Sequence, residues 1–123
     1  MILNTLLTRL RDSEELSAII ESIEPFYQEG PHNGIVYSLT PLGDNGATRQ
    51  DRFEIHIIAK SIEEEMAADA AVRKILLTLG DEKYDNIYNV ELSGGGSMED
   101  LNTMTYHLIQ YYIITSLGGR LND

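Results

Sequence analysis

Between Arg52 and Gly80 the hydrophobic pattern switches from a period of two to a period near 3.6, and the switch is sharply punctuated on both sides. Phe53, Ile55 and Ile57 alternate with Glu54 and His56, as in a strand with one buried face. Ser61 and Glu64 then form a Ser-x-x-Glu capping box, in which hydroxyl and carboxylate can each satisfy an orphan amide of a first helical turn. The spacing predicts a helix over 62–79 that buries Met66, Ala70, Val72, Ile75, Leu76 and Leu79 and leaves Glu63, Glu64, Glu65 and Asp69 for water or a partner. Gly80 is expected to close it as a left-handed C-cap. The acidic first turn suits the helix dipole.

The flanking segments complete the order of elements. Leu3, Leu6, Leu7 and Leu10 fall at helical spacing, and Leu16, Ile19, Ile20 and Ile23 repeat it, so two leading amphipathic helices are expected. Asp12 with Glu15, or Ser13 alone, can cap the second, and Pro25 with Gly30 and Pro31 stops it. Strands are expected at 35–39, 52–60, 84–92 and 103–117, the last rich in Tyr106, Ile109, Tyr111, Tyr112, Ile113 and Ile114. Thr40 to Gln50, with Pro41, Gly43, Asp44, Asn45 and Gly46, reads as a loop of turn formers. Ser93 to Asn102, with Gly94, Gly95, Gly96 and Met98, reads as a mobile hairpin tip. The order helix, helix, strand, strand, helix, strand, strand implies an α+β fold, with an antiparallel or mixed sheet and helices packed on one face in two layers.

The 123 residues, 42% of them hydrophobic, suffice for one core and predict a single domain, 1–123, with mobile loops at 40–50 and 93–102. No cysteine is present, so no disulfide or thiolate site enters. No apolar run reaches the roughly 18 residues of a membrane span, and Asn4, Thr5, Thr8 and Arg9 interrupt the first ten residues, so a soluble chain without a membrane partner is expected. The net charge of −11 disfavours direct nucleic-acid binding, because affinity for phosphate comes from Lys and Arg releasing counterions.

The chemistry-bearing residues form no motif that points to a reaction. A metal or general-base site would need His32, His56 and His107 to converge with one another or with carboxylates such as Glu54 and Glu91, and nothing in their spacing requires it. The glycines at 94–96 lack the lysine and following helix of a phosphate cradle. Tyr106, Tyr111 and Tyr112 have no basic groove beside them for stacking bases. No enzyme activity, metal or cofactor is therefore expected. The residues singled out for interaction are Asp44, Asn45, Glu63, Glu64, Gly94, Gly95, Gly96, Met98 and Leu101; Met98 and Leu101 are apolar on a polar loop and suited to burial on docking.

The leading helix, the loop-separated strand pair, the run from Phe53 through Lys60 into a Ser61-capped helix, and the closing long hairpin together resemble the small tail terminator, tail completion and minor capsid proteins of long-tailed bacteriophages. The resemblance implies a non-enzymatic virion subunit that assembles with itself into a ring, typically a hexamer. Such a ring caps the tail tube protein's polymer and joins it to the head connector. It also implies that 40–50 and 93–102 order when neighbours dock. Carboxylates facing a channel would repel passing DNA over roughly 8 Å, one Debye length at physiological salt. A second reading from a different class is a small acidic inhibitor or immunity protein that covers the basic site of a nucleic-acid-binding partner. A small enzyme using His56 or His107 is a third.

Overall fold

A computed structural model describes residues 2–25, 33–100 and 104–118. Helix α1 spans Ile2–Arg11, and Ile2, Leu6, Leu7 and Leu10 form its buried stripe. Helix α2, Glu14–Ser17, is a single turn in which the Leu16 amide donates to Ser13 Oγ at 3.1 Å. Five strands follow with α3 between the third and fourth: β1 Ser22–Pro25, β2 Gly34–Asp44, β3 Thr48–Ala59, α3 Ile62–Glu82, β4 Ile87–Asp100 and β5 Thr105–Leu117. They make one sheet in the order β1-β2-β3-β5-β4, with β1 parallel to β2 and every other pair antiparallel. The fold is α+β with a mixed sheet, as the element order implies.

One face of the sheet meets the helices. Phe53, Ile55 and Ile57 of β3, Tyr112 and Ile114 of β5 and Ile35 of β2 are almost fully buried there against Leu6, Leu10 and Leu16 and against Val72, Leu76 and Leu79 of α3. At roughly 25 cal/mol per Å² of apolar surface, each such side chain contributes about 2 kcal/mol on leaving water. The opposite face carries Arg52, Glu54, His56 and Ile58 of β3 beside His107, Ile109, Tyr111 and Ile113 of β5, all half-buried or exposed.

Five local expectations are corrected by the structure. The second helix ends after one turn and its tail becomes β1. The Asn33 main chain and carboxamide engage the Glu21 amide at 2.9 Å and the Ile19 carbonyl at 3.2 Å, giving that backbone partners outside a helix. Ile20 is nonetheless buried. Gly30, Pro31 and His32 lie outside the described residues.

The segment expected as a loop at 40–50 is mostly ladder, because β3 is already paired with β5 and offers β2 a rigid edge as far as Asp44↔Arg49. The segment 93–102 is likewise strand as far as Asp100, paired with β5 through Asp100↔Thr105. A break in register between Leu92 and Gly95 absorbs the glycines. A Cβ on Gly95 would stand 1.9 Å from the Ile109 carbonyl oxygen, so glycine is what lets β4 close onto β5 there.

Helix α3 runs past Gly80 to Glu82, and Lys83, at φ 52°, is the left-handed cap. Gly80 is buried, and a Cβ on it would meet the Val90 amide nitrogen at 2.7 Å; it sets how closely α3 approaches β4. The helix also turns its small side chains, Ala68 and Ala71, to the sheet and brings Glu65 into the buried set. Ala70 and Met66 are exposed instead, Met66 by 65%.

Candidate functional site

The residues singled out for interaction fall into three groups, and two of them have structural duties. Asp44 and Asn45 close the β2–β3 turn: Asp44 Oδ1 accepts from the Gly46 amide at 2.8 Å, and Asn45 Oδ1 accepts from Ala47 and Thr48 at 2.9 and 2.8 Å. These are side-chain bonds that mimic a backbone turn, with Gly46 supplying a φ of 90°. The turn remains exposed.

Glu63 is exposed on the first turn of α3, whereas Glu64 is part of a polar junction. The Glu64 amide donates to Ser61 Oγ at 3.2 Å, Ser61 Oγ donates to Glu64 Oε1 at 3.0 Å, and Asn33 Nδ2 donates to Glu64 Oε2 at 2.6 Å. Asn33 Oδ1 also accepts from the Lys60 amide at 2.8 Å. Asn33, 5% exposed, therefore ties the ends of β1, β3 and α3 together. The sequence offers no period or motif that would single it out, because its four partners lie in two stretches of chain, 19–21 and 60–64, both distant from it.

The third group is the outer part of the β4–β5 hairpin. Gly94, Gly95 and Gly96 form the irregular stretch of β4, and Met98 follows with 59% of its surface exposed. β4 is an edge of the sheet, so its outer row of main-chain groups faces away from β5. Met104, at the turn into β5, is 72% exposed with φ 56°. Leu101 lies outside the described residues.

The half-buried face brings together two histidines that the sequence leaves apart. His56 Nε2 and His107 Nδ1 are 2.8 Å apart, and Thr105 Oγ1 lies 2.9 Å from His107 Nε2. The His56–His107 hydrogen bond needs an unprotonated nitrogen on at least one ring, because two N–H groups cannot share that contact. Burial, and secondarily the charge on His107, lower the His56 pKa from its ordinary value. Beside them, the Arg52 guanidinium sits 5.3 Å from the Tyr111 ring centroid. No cluster of three or more His, Cys, Asp or Glu suited to a metal occurs among the described residues. Among the same residues no helix is long and apolar enough to cross a membrane.

No protein-family model matches the chain, and no curated protein does. A solved structure does: a chain from the virion of a native gene transfer agent particle aligns with a TM-score of 0.65 at 15% sequence identity, covering 92% of each chain. The likeness is one of fold. At that identity the comparison speaks to the backbone architecture and not to the side chains described above.

Proposed function

We propose that this protein is a structural component of a phage-like virion, a subunit that closes into a ring, capping the tail tube and joining it to the head connector. What carries the reading is the shared fold with a virion protein along 92% of both chains. Three surfaces of the molecule support it. The β2–β3 turn with Asp44 and Asn45 projects from one end of the sheet. The exposed β4 edge offers Met98, and Glu63 adds charge at the start of α3. A ring formed by one repeated heterologous contact leaves no free lateral edge, which stops growth at a fixed size.

The proposed site residues are those on these surfaces, with Glu64 and the three glycines shaping them from behind. No catalytic step is assigned to any of them. Light scattering across concentration and salt, followed by electron microscopy of purified tail tubes mixed with the protein, tests the proposal. Rings or capped tube ends are expected, and a strict monomer under every condition that also leaves tube ends bare would sink it.

A further inference from the structure

Between the N-terminal half of α3 and the outer part of the β4–β5 hairpin lies an open groove of about 470 Å³. Its apolar lining includes Ile62, Met66 and Met98, three of the most exposed hydrophobic side chains of the molecule. Its polar lining includes Glu65, Asp69 and Glu99, three carboxylates without a lysine or arginine among the lining residues. An apolar groove with anionic walls is complementary to an apolar segment that carries positive charge.

Glu65 is the observation that makes this more than an acidic patch. It is 6% exposed, lines the groove, and its carboxylate has no hydrogen bond or ion pair among the described residues. One turn along, Asp69 Oδ2 is held by Arg73 at 2.9 Å, but Asp69 Oδ1 is buried with no partner. Behind them lies the buried Tyr112 hydroxyl, which burial and Asp69 push up to a pKa of about 12 while Arg73 draws it the other way. Buried carboxylates are ordinarily paired, and an unmet Asp69 oxygen beside a Glu65 carboxylate that lines the groove is a place where a cation would be favoured. Burial, and secondarily Asp69, raise the Glu65 carboxyl above its usual range, as expected where the compensating cation is missing.

We propose that this groove is a docking site for an arginine- or lysine-bearing apolar segment of a different, basic protein, with the cation seated between Glu65 and Asp69. A second copy of this chain is a poor donor. Among the described residues, Arg9, Arg11, Arg49, Arg52, Arg73 and Lys83 are each already engaged within the fold, which leaves exposed Lys60 and Lys74 as its remaining candidates. The whole chain also carries 20 acidic against 9 basic residues. A basic partner removes that repulsion and gains steering from it. The inference goes beyond the ring reading and does not rest on it, since it concerns one groove of the isolated subunit.

The test is a titration of isotope-labelled full-length protein with an acetylated, amidated peptide alternating leucine and arginine, followed by NMR, with a citrulline-for-arginine peptide as the uncharged control. The arginine peptide is expected to shift the amides of Glu65, Asp69 and Ser97 and to bind about tenfold or more tightly than the control. Glu65→Gln is expected to abolish that preference, while Glu63→Gln, an exposed carboxylate on the same turn, leaves it intact. Thermal unfolding of both variants confirms that each remains folded. Binding should also weaken with acid as Glu65 takes up a proton; the ionisable groups around it are Asp69, Arg73, Glu99, Tyr106 and Tyr112. No binding, equal binding of both peptides, or equal losses from Glu63→Gln and Glu65→Gln would overturn the proposal. So would self-association that Glu65→Gln abolishes without any peptide binding, since the occupant would then be a second copy.

Discussion

Asp51 has no exposed surface and accepts two hydrogen bonds at 3.0 Å from the Arg49 guanidinium, one to each carboxylate oxygen. Asp51→Ala removes a two-point acceptor from a guanidinium that is only 19% exposed, so a loss of about 1–3 kcal/mol is expected in urea unfolding. His56 makes a pH statement of opposite character to Glu65. Its lowered pKa means that the unfolded chain takes up a proton more readily than the folded one. Stability should therefore fall as pH drops through about 6.5, with the full penalty present below the folded value. Melting curves at about pH 8 and about pH 5, with His56→Gln expected to flatten the difference, check it. Glu65 is raised from 4.5, so its folded form holds the proton more tightly and its cost appears as pH rises through the raised value. Glu65→Gln is expected to raise the melting temperature of the free protein at neutral pH, with the gain vanishing in acid. The two histidines are thus a coupled pair on neighbouring strands, which neither of their positions in the sequence reveals.

At the scale of elements, α3 and its neighbours show two effects in competition. Gly80→Ala improves intrinsic helix propensity by about 1 kcal/mol. It also places a methyl 2.7 Å from the Val90 amide nitrogen, where helix and strand would have to separate. Sterics should win, since that contact is to backbone, and a net loss of about 1–3 kcal/mol is expected in chemical denaturation. The helix start was legible because its signal is local: the Glu64 amide donates to Ser61 Oγ as that spacing requires, while the Glu64 carboxylate turns to the Ser61 hydroxyl and Asn33. The helix end was not, because Gly80 answers to β4 across the fold and the cap falls on Lys83, a residue type with no left-handed preference. The glycines of β4 misled in the same way. Their permissive backbone suggested a loop, yet β5 supplies hydrogen-bonding partners on either side of Gly95.

For the whole molecule, charge and shape pull against each other. A net charge of −11 on a chain of this size opposes association of like copies, while the β4 edge and the half-buried sheet face favour it. Raising salt to several tenths molar shrinks the Debye length to about 5 Å, so larger species should grow in sedimentation or light scattering as salt is added. The opposite trend would mean that assembly depends on ion pairs. The chain shares its fold with a chain of a gene transfer agent virion at 15% identity, which is possible because a fold needs only the right pattern of apolar positions.

The sequence by itself determined the leading helix, the strand–helix unit at the centre and the α+β class, because hydrophobic period and capping act over a few residues and tolerate any surroundings. Tertiary structure alone decided the register that sets His56 beside His107, the Asn33 junction, the rotation of α3 that buries Glu65, and the conversion of 93–100 into strand. Each of these joins residues distant in the chain, and their free energies depend on which groups are left without water once the layers close.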